Sequence, residues 1–179
     1  DDVIKLLMNV PLSTKVYLSK LDVSSAYKAI PVRPIDWPLL AFKWKGKIYF
    51  EVRLQFGLAS SCQLWELFAT ALHQMIERCC NVDGLVHYID DYIVLSFDSE
   101  ENAIEQINNI LSLSKSLGVP WNQEKLEIGK TEIIFLGIQI NTVTRTLSLS
   151  NERIEDIINT LSIWDNKFRC NKTELQSII

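Results

Sequence analysis

Gly84-Leu-Val-His-Tyr-Ile-Asp-Asp-Tyr-Ile-Val-Leu-Ser96 sets two short apolar runs on either side of a carboxylate pair, Asp90 and Asp91. Each run is aromatic and β-branched, the pattern of a buried strand, and the Asp pair falls where a tight hairpin would turn. Neighbouring carboxylates repel, and a poorly hydrated site sharpens the repulsion. No Lys or Arg lies between Arg78 and Lys115, so nothing local neutralises them. Two readings stand. Asp tolerates turn geometry, which makes the pair ordinary turn residues. Alternatively, a remote cation of the chain or a bound divalent metal balances them.

A third carboxylate lies upstream. Lys15 to Asp22 reads as a strand with Val16, Leu18 and Leu21 inward, and Ser24 to Ala29 then reads as a short helical turn. The interval from Asp22 to Asp90 has room for a hairpin and a long helix between two adjacent strands. Two strand-borne Asp sites side by side can hold two divalent ions roughly 4 Å apart, an arrangement suited to in-line displacement at phosphorus.

Five segments, in order, resemble the palm of a reverse transcriptase. Tyr88-Ile-Asp-Asp91 matches the Tyr-x-Asp-Asp signature, Asp22 with Tyr27 the first motif, and Leu54-Gln-Phe-Gly-Leu-Ala-Ser-Ser-Cys62 the second. Leu117-Gly-Val-Pro-Trp-Asn-Gln-Glu-Lys125 resembles the fourth motif and Phe135-Leu-Gly-Ile-Gln-Ile140 the fifth. The ordered set covers nearly the whole chain. Within the family it looks nearest to retrotransposon enzymes of the long-terminal-repeat or DIRS-like type.

The resemblance implies RNA-directed DNA polymerase activity with two Mg²⁺ ions, for which Mn²⁺ can substitute. Asp22, Asp90 and Asp91 would hold them, with the Val23 carbonyl assisting. The backbone amides of Ser24, Ser25 and Ala26 would face the triphosphate, although Ser24 and Ser25 also read as a plain helix cap. Tyr27 would pack under the sugar and exclude a 2′-hydroxyl; its other reading is a core tyrosine. Phe56 and Gly57 would contact the nucleotide, and Tyr88, Leu136 and Gly137 the primer and template. Lys125 would be a general acid for the leaving pyrophosphate, or else a surface lysine beside Glu124 and Glu127. Gln55 and Cys62 stand where the family usually has proline, which alters the loop over the incoming nucleotide. Implied partners are an RNA or DNA template with its primer, dNTPs, and RNase H and integrase or recombinase segments of one polyprotein.

The rest of the chain fits an α+β fold. A hydrophobic share of 47% is enough for a core, and the charged share of 22% argues against disorder. No apolar run is long enough to span a membrane and no signal peptide opens the chain, so an intracellular location, cytoplasmic or nuclear, is expected. The four cysteines, Cys62, Cys79, Cys80 and Cys170, lack metal-ligand spacing and read as reduced and mostly near the core. The net charge of −4 is unusual for a nucleic-acid binder, but a metal-loaded acidic centre explains part of it.

In order, the pattern predicts a short helix within Asp1 to Thr14, with Asp1 and Asp2 at its start, and a hairpin over Leu39 to Arg53 turning near Gly46. Lys43, Lys45, Lys47 and Arg53 there either meet a phosphate backbone or form a solvated face. A helix follows from about Ser60 to Cys80, with Leu64, Phe68, Ala71, Leu72, Met75 and Cys79 as its core stripe. Another spans Asp98 to Leu117, capped by Ser99 and ended by Gly118, with Ala103 or Ile104, Ile107, Leu111 and Ser114 inward. Glu132 to Ile140 and Thr142 to Leu149 read as a hairpin, Asn151 to about Asp165 as a helix capped by Ser150, and Thr173 to Ile179 as a further helix.

The expected architecture is a polymerase palm, an antiparallel sheet with helices packed on one face, with partial fingers and the start of a thumb. Residues 1–149 would form the palm with partial fingers, and 150–179 the truncated thumb. A rival reading is a catalytically dead retroelement remnant serving only as a nucleic-acid-binding or scaffold module. A cyclase-like palm shares the paired carboxylates but has no counterpart to the second and fifth motifs.

Overall fold

The computed structural model describes residues 2–165, 167 and 169–176. The chain divides into two compact units, Asp1–Thr131 and Glu132–Ile179.

The first unit is built on a four-stranded antiparallel sheet. Its strands are β1 (Val16–Asp22), β4 (Gly84–Tyr88), β5 (Asp91–Phe97) and β6 (Glu127–Lys130), in the spatial order β4-β5-β1-β6. The central strands, β5 and β1, hold the most buried residues, and alternation along them separates two faces. Leu21, Tyr92 and Val94 point into a core with helix α2 (Ser61–Cys79) and helix α3 (Glu100–Leu117). The opposite face carries Leu18 opposite Leu95 and Asp22 opposite Asp91. The short helix α1 (Asp2–Met8) approaches β4, where a Cβ on Gly84 would meet the Leu6 side chain at 3.4 Å. Asp1, half of the expected acidic start, lies outside the described residues.

Helix α2 buries a different stripe from the one expected. Ser61, Trp65, Ala69, Leu72 and Ile76 face the sheet, whereas Leu64, Phe68, Met75 and Cys79 are exposed. Both stripes have helical spacing, so periodicity does not choose between them. Polar satisfaction does. Trp65 turned inward donates its indole N–H to the Ile89 carbonyl (2.8 Å), and small Ala69 lets the buried Tyr92 hydroxyl reach its own carbonyl (3.0 Å). In α3 the Ser99 side chain accepts from the Asn102 amide at 3.1 Å, and Gly118 closes the helix in the left-handed region. The inward residues are Ala103, Gln106, Ile107, Ile110 and Ser114. Ile104 is exposed and Leu111 only half-buried, because Gln106 turns in to bond Ser96 and Asp83.

Strands β2 (Ala41–Trp44) and β3 (Lys47–Phe50) form the expected separate hairpin. Its two turn residues, Lys45 and Gly46, both have positive φ, the type I′ arrangement that matches strand twist. Phe42 stacks on Tyr49 across the strands, and every residue of the hairpin is exposed. Among the cysteines only Cys80 is buried; Cys62, Cys79 and Cys170 are exposed and free, which corrects the near-core expectation.

The second unit is a three-stranded meander, not one hairpin: β7 (Glu132–Phe135), β8 (Ile138–Asn141) and β9 (Thr146–Leu149). The stretch read as one strand folds back at Leu136 and Gly137, whose φ angles are 51° and 78°. Glycine accepts that angle without penalty, and this breaks the strand. Helix α4 (Asn151–Asp165) follows, with the Arg153 amide donating to Ser150 Oγ at 3.3 Å. Its Ile154, Ile157, Ile158 and Leu161 are exposed. The last helix, α5, covers Lys172–Gln176; the rest of the expected helix, 177–179, lies outside the described residues. No helix among the described residues is long and apolar enough to cross a membrane.

Candidate active site

The three carboxylates come together where β1, β4 and β5 end side by side. Asp22 is the register partner of Asp91, and Asp91 also pairs with Tyr88. Register partners share a face, so Asp22, Asp91 and Tyr88 stand in a row on the face turned away from α2 and α3. Asp90 occupies the two-residue turn with Ile89, whereas Asp91, expected in the turn beside it, is the first residue of β5. Ile89 has a φ of 59°, a left-handed angle that a β-branched residue rarely holds. The turn is pinned by two hydrogen bonds: Trp65 Nε1–H donates to the Ile89 carbonyl (2.8 Å) and the Val23 amide to the Asp90 carbonyl (2.9 Å).

Burial, followed by the charges of Asp90 and Asp22, raises the Asp91 carboxyl above its ordinary range; Lys125 and Lys20 pull the other way. The balancing cation is thus partly the remote one of the chain. Lys125 Nζ donates to Asp22 Oδ1 at 2.8 Å, and that bond raises the pKa of the lysine. Backbone pairing brings Lys125 there. The Asn122 amide donates to the Asp22 carbonyl (2.8 Å), Val23 bridges Trp121, and the Ser24 amide donates to the Pro120 carbonyl (2.8 Å). Lys20, one step down the same face, is engaged with Glu127 at 2.9 Å.

The Ser24 amide is therefore spent on Pro120 and does not point at a phosphate, which corrects one of the expected contacts. Ser25 is exposed with a φ of 54°, ahead of the 3₁₀ turn Ala26–Ala29, and Ala26 is buried. Tyr27 and Phe56, both expected at the nucleotide, meet edge to face at 4.7 Å between ring centres. Tyr27 also lies 6.3 Å from the Trp65 ring; burial, then the neighbouring Cys62 thiol, raises its pKa. Gly57 has a φ of 86° beside exposed Phe56, and the Gln55 carbonyl accepts from Ser61 Oγ at 2.6 Å. Leu136 and Gly137 form the β7–β8 turn of the second unit.

Among the described residues no three His, Cys, Asp or Glu side chains are gathered as a ready-made metal cage. The donor set still fits hard divalent cations. Mg²⁺ is commonly held by one or two carboxylates completed by water and substrate phosphate, without an all-protein cage. Facing carboxylates whose charges raise Asp91, with an ammonium already drawn to Asp22, make a site that favours positive charge. Sequence reasoning missed two contributors, Trp65 and the Pro120–Asn122 backbone. A tryptophan on a helix beside the motif was a usable signal, because its buried N–H needs an acceptor. The backbone pairing left no mark in side-chain identity.

Residues 6–140 match the sequence model of the family described as reverse transcriptase (RNA-dependent DNA polymerase). The chain is 32% identical over 132 residues to the Pro-Pol polyprotein of Simian foamy virus type 1, covering 74% of this chain and 11% of that protein. It is 28% identical over 124 residues to the Tf2-3 transposon polyprotein of Schizosaccharomyces pombe, covering 69% of this chain and 9% of that one. The chain thus spans about a tenth of these relatives. A foamy viral protease-reverse transcriptase solved with an RNA/DNA hybrid shares the fold at a TM-score of 0.74 and 23% identity, over 98% of this chain and 22% of that one. The same kind of protein solved with double-stranded DNA gives 0.72 at 24% identity, over 90% of this chain and 26% of that one.

Proposed function

The chain belongs to the reverse transcriptase family, and on that premise we propose that it is the catalytic palm of an RNA-directed DNA polymerase carried in a retrotransposon polyprotein. The observation that carries the reading is the facing of Asp22 and Asp91 on the side of the sheet turned away from α2 and α3, with Asp90 in the adjoining turn. Asp22, Asp90 and Asp91, with the Val23 carbonyl, would hold Mg²⁺, or Mn²⁺ in its place. Such ions lower the pKa of a primer 3′-hydroxyl and neutralise the triphosphate and the leaving pyrophosphate.

The chain's own residues supply the rest of the reaction. Tyr27, braced by Phe56, packs under the sugar and rejects a 2′-hydroxyl. The segment beginning at Ser25 meets the triphosphate, and Gly57 lets backbone approach the base pair. Lys125, held at Asp22, would donate its proton to the departing pyrophosphate. The Asp22 contact raises its pKa, so it enters the reaction protonated. Tyr88, Leu136 and Gly137 contact primer and template. The palm, partial fingers and thumb start, the long-terminal-repeat or DIRS-like origin, and the RNase H and integrase or recombinase neighbours belong to this proposal. The similarity to polyproteins of foamy viruses and a transposon supports it.

The test is primer extension on an RNA template with Mg²⁺, using the full reading frame, dNTPs and rNTPs in parallel, and Asp90→Asn as blank. Extension with dNTPs alone, lost in the variant, is the expected result. A folded protein that binds primer–template yet extends nothing would favour the remnant reading, with Gln55→Pro and Cys62→Pro the first reversions to try.

A further inference from the structure

We infer that the Trp65 indole N–H is a positioning group for the catalytic turn, setting where the Asp90 carboxyl points. The inference rests on the polymerase reading of this site. Asp90 sits between two peptide planes. The plane before it carries the Ile89 carbonyl, which accepts from Trp65 Nε1 at 2.8 Å. The plane after it carries the Asp90 carbonyl, which accepts from the Val23 amide at 2.9 Å. Fixing both planes fixes the two backbone dihedrals of Asp90, and with them the direction of its Cβ. The first plane needs the support more. It is held against a left-handed Ile89, φ 59°, a conformation that persists only when the surroundings over-determine it.

Trp65 is suited to that role. It is fully buried, packed against Phe68 at 5.1 Å between ring centres, and 6.3 Å from Tyr27. A side chain clamped on several sides delivers its donor with little freedom to stray. Position 65 therefore links the aromatic floor under Tyr27 to the turn that carries the carboxylates. A purely structural role would need only a satisfied indole N–H. A positioning role makes the turn depend on that one donor.

The experiment removes the donor and keeps the ring. Trp65→Phe is one variant; benzothienylalanine at position 65, which replaces the N–H by sulfur in a ring system of the same shape, is the second and guards against repacking. In the full-length enzyme the single-turnover rate is expected to fall roughly tenfold or more, the loss typical of an unmade buried hydrogen bond. The Mg²⁺ concentration for half-maximal rate should rise several-fold, and primer–template affinity should stay within about twofold. In the metal-free protein, exchange of the Val23 amide should accelerate roughly tenfold while that of Val94 in the middle of β5 is unchanged. An isostere that turns over within about twofold of wild type, with Val23 exchange unaltered, overturns the inference. If wild type itself extends nothing, the polymerase reading falls, and the Val23 exchange still decides whether Trp65 holds the turn.

Discussion

Asp91 is a residue whose charge works against the fold that displays it. Burial and two neighbouring carboxylates raise its pKa in the folded state, so folding is disfavoured once pH exceeds the unfolded value of 3.8. Asp91→Asn should therefore raise Tm at pH 7 by about 1–3 °C, a small gain because solvent screens a half-exposed group. The gain should vanish below pH 3.8, where both forms are neutral, and polymerase activity should be lost throughout; calorimetry of the two proteins across pH checks this. A second residue-level device lies on the helix side of the sheet. His73 of α2 and His87 of β4 meet Nδ1 to Nδ1 at 3.0 Å, with Glu77 3.3 Å from His73 and Glu66 3.2 Å from His87. Burial lowers the His73 pKa below 6.5, only partly offset by Glu77. A lowered histidine costs nothing above its unfolded pKa and opposes folding as pH falls below it. Tm should drop from pH 6.5 downward, and His73→Gln should flatten that drop. The Asp trio was legible from the sequence because repulsion without a local cation demands an explanation. The histidine pair was not, because contact across fourteen residues of helix and strand leaves no sequence spacing to read.

At the scale of elements, spacing located α2 but chose the wrong face. Leu72 is buried as expected, but Leu64, Phe68 and Met75 are as apolar as Trp65 and Ile76, and the two stripes differ by one residue of rotation. What decides is the partner surface: the Ile89 carbonyl for the indole, and the small Ala69 under Tyr92. Ile76→Ala, at a fully buried site, should cost about 2–5 kcal/mol, whereas Met75→Ala, at 38% exposure, should cost under about 1 kcal/mol. Equal losses in urea unfolding would restore the face first expected. α3 was easier because Ser99 and Gly118 mark both ends in the sequence. The meander of the second unit was misread for want of weight on one residue. Gly137 at positive φ folds back what hydrophobicity alone presents as a continuous strand.

At the scale of the whole molecule, charge is unevenly placed. The net charge is −4, yet Lys43, Lys45, Lys47 and Arg53 crowd the exposed β2–β3 hairpin and its exit. If these lysines meet template phosphates, Lys43→Ala, Lys45→Ala and Lys47→Ala together should weaken RNA-template binding and reduce its log–log salt slope by roughly 2. An unchanged slope would leave them a solvated face. The adjacency of the strands bearing Asp22 and Asp91 was readable, because the interval from Asp22 to Asp90 leaves room for a hairpin and a long helix between neighbours. The Lys125–Asp22 contact was not, since it depends on backbone pairing at residues 120–122. The central claim is that Asp22 is a catalytic carboxylate in that strand pair. Its most direct test is single-nucleotide incorporation by Asp22→Asn in the full-length enzyme, with Tm recorded alongside. The account predicts a rate lower by roughly 10³-fold or more with the fold intact. A folded variant within about tenfold of wild type would contradict it.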